Sequence, residues 1–183
     1  MNQLSSHIIE KIKPIKCLIC DVDGVLTNGI LYMADDGSEL KAFHVHDGMG
    51  LKFLMKSGIH VAVITTSQTA LIDHRMKQLG IQHYYKGQVS KLEAYKDLKE
   101  KLQLQDHEFA YIGDDWPDWE VMEKVGLKIT VADATTKIQQ LADWKTEKKG
   151  GLGAVREVCE AFMAVHNTEN LALIRYLHPD KVV

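Results

Sequence analysis

Short apolar runs alternate with helix-spaced stretches along almost the whole chain, and several of the runs end on a polar side chain. This alternation constrains the fold more than any other feature. Strand–helix–strand repeats bury their strands in a largely parallel sheet covered by helices. The predicted strands are residues 15–20 (Ile-Lys-Cys-Leu-Ile-Cys), 59–65 (Ile-His-Val-Ala-Val-Ile-Thr), 82–85, 109–113, 129–132 and a short run near Trp144. Between them, residues 47–57 predict a helix stopped by Gly58, and residues 69–79 carry Ile72, Met76 and Leu79 at helical spacing before Gly80. Residues 90–102 place Leu92, Tyr95, Leu98 and Leu102 on one face. They open with Ser90-Lys91-Leu92-Glu93, the pattern of a capping box. A helix through Val125, one over 134–142, and one over 152–165 with the stripe Leu152, Val155, Cys159 and Phe162 complete the series. One pair breaks the alternation: runs 29–33 and 39–45 flank Asp35-Asp36-Gly37, which predicts a β-hairpin. The tail, about 168–183, is less regular but rich in Leu, Ile and Tyr, and suggests docking on a neighbouring subunit. The expected fold class is α/β, one domain over 1–183 with a mainly parallel sheet and a hairpin flap of about 29–45.

A length of 183 residues suits one substantial core. A net charge of -3 gives no basic face for nucleic acid, while a few local cations can still attract an acidic substrate. No apolar run reaches membrane-spanning length and no signal peptide is evident, so a cytoplasmic protein without membrane attachment is expected. Cys17 and Cys20 have C-x-x-C spacing, but residues three apart on a strand point to opposite faces, and no second pair exists to complete a zinc site. Buried reduced thiols are expected.

In open parallel sheets, ligands sit outside the carboxyl ends of the strands. Asp21 with Asp23, Thr65, Lys91 opening a helix, and Asp114 all fall at such ends. Each has a plainer reading alone: a turn carboxylate, a strand-end threonine, a surface lysine, a charged loop. Their shared placement points to one site. The chemistry that needs these types together is phosphate-ester cleavage. A carboxylate at Asp21 attacks phosphorus, and Asp23 protonates the leaving alkoxide and then activates water. A cation held by Asp21 and Asp114 removes the repulsion between two anions, and all-oxygen ligation favours Mg²⁺. Lys91 and the Thr65 hydroxyl stabilise phosphoryl oxygens. His44 and His46 flank Val45 on an expected strand and so share a face, a spacing that suits substrate contact better than a metal with no third ligand. Trp116 and Trp119 read as packing residues, and Gly150, Gly151 and Gly153 read as a flexible turn.

The segments Asp21-Val22-Asp23-Gly24-Val25-Leu26-Thr27, Thr65, Lys91 and Gly113-Asp114-Asp115 resemble the motifs of the haloacid dehalogenase-like phosphatases. Over nearly the whole chain the resemblance narrows to the 3-deoxy-D-manno-octulosonate 8-phosphate (KDO 8-phosphate) phosphatase branch. The segments that carry it are Leu40-Lys41-Ala42-Phe43, Asp47-Gly48, Val121-Met122-Glu123-Lys124-Val125-Gly126-Leu127, Val131-Ala132-Asp133-Ala134 and Gly153-Ala154-Val155-Arg156-Glu157-Val158. The resemblance implies a Rossmann-like core without a large cap. It also implies a homotetramer whose hairpins meet, with each active site finished by a neighbouring subunit. It implies Mg²⁺ held by the side chains of Asp21 and Asp114 and the backbone carbonyl of Asp23. It implies substrate contacts from His44, Val45, His46, Asp47 and Gly48, with Lys52, Thr66, Ser67, Arg75, Asp23 and Lys91 nearby, and a role in lipopolysaccharide precursor synthesis.

This chain departs from that pattern at Ile64-Thr65-Thr66-Ser67, where the family usually reads I-T-G-R, at Lys52, where an arginine is expected, and at His46, where a basic residue is common. Serine and lysine cannot copy the bidentate fork that arginine offers a carboxylate. The catalytic set is intact and sugar-acid recognition is partly rewritten. A nonulosonate or N-acylneuraminate 9-phosphate is therefore an alternative substrate, and a non-catalytic oligomeric scaffold an alternative of another class.

Overall fold

The computed structural model describes residues 4–178. Its main sheet has six strands in the order β5-β4-β1-β6-β7-β8, with every neighbouring pair parallel. These are β1 (Cys17–Cys20), β4 (His60–Ile64), β5 (His83–Tyr85), β6 (Phe109–Gly113), β7 (Leu127–Thr130) and β8 (Trp144–Lys145). The strands β2 (Tyr32–Met33) and β3 (Glu39–Leu40) form a separate antiparallel hairpin. Among the described residues eight α-helices accompany them: α1 (Ser6–Ile12), α2 (Val45–Ser57), α3 (Ala70–Leu79), α4 (Lys91–Leu102), α5 (Trp119–Met122), α6 (Thr136–Leu141), α7 (Ala154–His166) and α8 (Glu169–Leu177).

The position of β1 follows from its composition. Cys17, Leu18, Ile19 and Cys20 are all fully buried, as a strand covered on both faces must be. From this centre the chain runs outward through β4 and β5, then returns to the other side of β1 for β6, β7 and β8. The reversal opens a crevice between the carboxyl ends of β1 and β6, the place where open α/β sheets bind ligands. Cys20 is in register with Ile112, and the Asp21 backbone N–H donates to the Ile112 carbonyl at 3.1 Å. Asp21 and Asp114 therefore emerge side by side.

The expected α/β architecture and parallel sheet are present, and β6 has the expected bounds. The strands β1, β4 and β5 are trimmed at their ends, where pairing stops before the apolar run does, and β7 begins two residues earlier than expected and ends at Thr130. Several expectations need correction. The hairpin strands are only two residues each, because beyond Leu40 the chain pairs elsewhere, through an isolated bridge between Thr27 and Phe43. Val45 begins α2 rather than ending a strand, so His44 is the N-cap residue of that helix. Ser90 precedes α4 without a capping side-chain bond. Leu152 lies outside α7 and is 55% exposed, while Val155, Cys159 and Phe162 are buried as expected. The helix α1 was not anticipated: it is short, and its Ile8 and Ile12 are the buried residues.

The tail is more regular than its sequence suggested. Helix α8 packs on α2 of its own chain through buried Ala172, a Phe53–Tyr176 ring contact at 5.0 Å, and a bond from Arg175 to the Lys56 carbonyl at 3.0 Å. Its Leu173, Ile174 and Leu177 remain exposed. Residues 179–183 of the tail lie outside the described residues. Cys17, Cys20 and Cys159 are buried free thiols, which burial makes harder to ionise. Among the described residues no helix is long and apolar enough to cross a membrane.

Candidate active site

Three carboxylates and one ammonium meet at the crevice. Lys91, the first residue of α4, is 2% exposed, and its Nζ donates to Asp21 Oδ1 at 2.5 Å and to Asp118 Oδ1 at 2.6 Å. The same Asp118 oxygen accepts from the Tyr111 hydroxyl at 2.6 Å. Its other oxygen accepts from the backbone N–H groups of Asp114 at 2.9 Å and Asp115 at 3.3 Å. Asp21, Asp114 and Asp118 each place one oxygen within 4.8 Å of the others. The close approach depends on glycine. Gly24 has φ +93°, and a Cβ there would overlap the Asp114 carboxylate; a Cβ on Gly113 would overlap Asp118.

The electrostatics of the cluster show a deficit of positive charge. Burial, together with the Asp118 charge, pushes the Asp21 carboxyl up to about 7 despite Lys91. Burial, then Asp21, Asp118 and Asp115, push Asp114 up to about 8. Burial opposes the charge on Lys91, but Asp21 and Asp118 outweigh it and raise its pKa. Asp114 Oδ1 is buried with no hydrogen-bond partner. An orphaned carboxylate oxygen beside a second carboxylate, with one ammonium to serve the group, fits a hard divalent cation with oxygen ligands. Both oxygens of Asp118 are already occupied by donors, so Asp21 and Asp114 are the open ligands.

A pH dependence of stability follows. Above roughly pH 4 the unfolded chain has lost protons that Asp21 and Asp114 still hold when folded. Stability of the metal-free protein should therefore fall as pH rises from about 5 to about 8, by on the order of a few kcal/mol. Lys91 stays charged across this window and does not alter the sign. Thermal melts in chelator should show a falling Tm over that range, and saturating Mg²⁺ should restore it at the alkaline end. A flat profile in chelator would mean that the two carboxyls titrate normally.

The other anticipated residues are placed as follows. Thr65 is buried at the carboxyl end of β4, next to β1, and its hydroxyl accepts from the Ser67 backbone N–H at 3.1 Å. Asp23 accepts from Lys41 Nζ at 2.5 Å and from the Thr27 hydroxyl at 3.4 Å. A cavity of about 530 Å³ lies between hairpin and α3, lined by Lys41, Phe43, Val45, His74, Arg75 and other residues of that helix. The Arg75 guanidinium lies over the Phe43 ring at 5.6 Å, and its Nε is buried without a partner. A Cβ on Gly48 would overlap that guanidinium, so Gly48 makes room for Arg75.

Thr66 is exposed, Ser67 and Lys52 half-buried. His44 and His46 do come together, with ring centroids 5.1 Å apart, but through a helix start rather than a strand. Asp47 takes a different place from the one expected. It is 1% exposed and accepts from the backbone N–H groups of Gly153 at 3.2 Å and Arg156 at 2.8 Å, which makes it a cap for α7. Residues 150–153 do form a turn, but one packed tightly against its neighbours. A Cβ on Gly150 or Gly151 would overlap the backbone of the loop after β1, and Gly151 N–H donates to the Val25 carbonyl at 2.8 Å.

Sequence reasoning missed Asp118, Tyr111 and Lys41. For Asp118 a signal was there: an acidic residue one turn beyond Asp114, behind Pro117, in the 3-10 turn Trp116–Asp118. Lys41 stood in the segment Leu40-Lys41-Ala42-Phe43 that carries the family resemblance, but nothing in the sequence aimed it at Asp23, and Tyr111 carried no signal.

Comparison with known proteins bears on this arrangement. Residues 81–158 match the family described as haloacid dehalogenase-like hydrolase. The 3-deoxy-D-manno-octulosonate 8-phosphate phosphatase KdsC of Salmonella typhi is 49% identical over 160 residues, covering 87% of this chain and 85% of that protein. The chain belongs to the KDO 8-phosphate phosphatase family. It is a phosphoric monoester hydrolase of the haloacid dehalogenase-like group. The family member from Yersinia pestis has a crystal structure that superposes with a TM-score of 0.89 at 46% identity, covering 91% of this chain and 90% of that one. The Moraxella catarrhalis member, solved in complex with magnesium ion, phosphate ion and a KDO molecule, gives a TM-score of 0.89 at 40% identity, covering 94% and 99%.

Proposed function

We propose that this chain hydrolyses the phosphate ester of a sugar acid, with KDO 8-phosphate as its principal substrate and Mg²⁺ as its cofactor. The observation that carries the reading is the buried Asp21 carboxylate, held by Lys91 beside Asp114, whose Oδ1 has no partner. Asp21 and Asp114, with the Asp23 backbone carbonyl, hold the cation. When bound, it neutralises phosphoryl charge and lets two anions approach. An Asp21 oxygen attacks phosphorus and forms the aspartyl-phosphate, while the ester P–O bond breaks. Protonated Asp23 gives its proton to the departing sugar oxygen. The resulting Asp23 carboxylate then takes a proton from water as the water oxygen attacks phosphorus, releasing phosphate and regenerating Asp21. Lys91 and the Thr65 hydroxyl serve phosphoryl oxygens.

The substrate assignment rests on the relatives named as KDO 8-phosphate phosphatases and on the Moraxella complex. His44, Val45, His46, Gly48, Lys52, Thr66, Ser67 and Arg75 form the sugar-acid side of the site, and Asp47 supports it by capping α7. The protein works in the cytoplasm, in lipopolysaccharide precursor synthesis. It acts as a homotetramer whose hairpins meet and complete one another's active sites. Support for assembly comes from the hairpin, where Ile30, Leu31, Tyr32, Met33 and Leu40 are all exposed, an apolar group that water disfavours. A nonulosonate 9-phosphate remains the second reading because Thr66 and Ser67 stand where an arginine-bearing segment is usual.

The test is phosphate release from a panel of sugar-acid phosphates by the purified protein with Mg²⁺. The expected kcat/KM for KDO 8-phosphate exceeds that for the 9-phosphates by about tenfold or more, a difference of ~1.4 kcal/mol in transition-state binding. Chelator should remove the activity. A reversed preference would assign the protein to nonulosonate 9-phosphates, and no release from any ester would end the proposal.

A further inference from the structure

Lys41 is an unusual residue to find where it is. It lies just past β3, at the base of the hairpin, and its side chain is only 4% exposed. Burying an ammonium is costly unless an anion meets it. Among the described residues its ion-pair partner is Asp23, 2.5 Å from Nζ. The backbone explains how the two are brought together. Thr27 and Phe43 form an isolated antiparallel bridge, which lays the strand leaving the hairpin against the loop that follows β1. Residues two apart in extended chain share a face, so fixing Phe43 fixes the side from which Lys41 reaches Asp23. The Thr27 hydroxyl contacts the same Asp23 oxygen at 3.4 Å, giving the carboxyl a hold from each side of the bridge.

We propose that Lys41 is the positioning residue for Asp23, so that the hairpin sets where the acid–base group of the reaction stands. This rests on the acid–base role given to Asp23 above. Lys41 and Thr27 both hold Asp23 Oδ1, which leaves Oδ2 to carry the proton, so Lys41 acts through Asp23 on one event, proton delivery to the bridging oxygen as the P–O bond breaks. A misplaced general acid slows expulsion of a strongly basic alkoxide, which needs the proton. It has little effect on a weakly basic phenolate, which leaves without one.

The experiment compares first-turnover rates of wild type, Lys41→Met, Lys41→Arg and Asp23→Asn with Mg²⁺, on a sugar phosphate by rapid quench and on p-nitrophenyl phosphate by stopped flow. Lys41→Met is expected to lose about 10²-fold on the sugar phosphate, within the range of acid–base contributions, and only about threefold on the aryl ester. Asp23→Asn should show the same split, and Lys41→Arg should recover part of the alkyl rate by restoring the charge. Circular dichroism and the aryl-ester rate together report whether each variant is folded. A Lys41→Met protein slowed equally on both esters, or on neither, overturns the proposal alone. A wild type inactive on both esters overturns the underlying reading and the proposal with it.

Discussion

Asp21→Asn is expected to lower phosphate release by at least about 10⁴-fold on every substrate the wild type accepts, in line with the loss of other covalent nucleophiles. The amide has nearly the shape of the carboxylate but lacks its charge, so it neither attacks phosphorus at a useful rate nor binds a hard cation as well. The fold should survive. Lys91 keeps its second partner, Asp118, and one of three crowded carboxylates is gone. Because Asp21 ranks just after burial in raising Asp114, its removal should also bring the Asp114 carboxyl down from about 8. In chelator at about pH 8, the variant should therefore melt no lower than wild type. Retention of a tenth of the wild-type rate would show that another group makes the bond to phosphorus.

Much of the site was legible in the sequence because topology converts sequence position into spatial position. Asp21 and Asp114 are 93 residues apart in number, yet each directly follows a strand of the same parallel sheet, and a strand-end carboxylate can be read without knowing its partner. Lys91 was legible for a related reason: it opens a helix that follows a strand. What could not be read were contacts made by side chains crossing between elements. Tyr111 has the pattern of an apolar strand residue, and only packing shows that its hydroxyl ends on Asp118. Lys41 looks like any polar residue beside a hairpin until the Thr27–Phe43 bridge turns it inward. Asp47 failed in the opposite sense. Its neighbours marked it as a ligand contact, but α7 starts with free N–H groups that need an acceptor, and Asp47 supplies it. The start of α2 was misplaced because Val45 and Phe43 have strand-forming side chains; helix α2 nevertheless begins at Val45.

Lys91→Met should be the single change most damaging to stability, and it should slow the reaction as well. The ammonium is 2% exposed and touches two carboxylates, themselves 9% and 1% exposed. Removing one member of a buried ionic group leaves the others unpaired, which typically costs about 3–5 kcal/mol. Here Asp118 also anchors the backbone of Asp114 and Asp115, so a shift in Asp118 would displace the loop that carries the proposed ligand Asp114 as well. The loss should depend on pH in a definite sense. Lys91 is one of the groups that hold the Asp21 and Asp114 pKa values down, so without it both carboxyls keep their protons to higher pH. Protonated carboxyls do not need the ammonium. The stability difference between wild type and variant, read from urea unfolding in chelator, should therefore be smaller near pH 6 than at pH 8.5. With Mg²⁺ present, the cation should recover part of that stability but not the catalytic function, because a phosphoryl oxygen still lacks its ammonium. A fall in kcat of about 10²–10³-fold is expected on that account. Equal destabilisation at both pH values would mean that the carboxylates around Lys91 are ionised throughout the range, and that the cluster has some other source of positive charge.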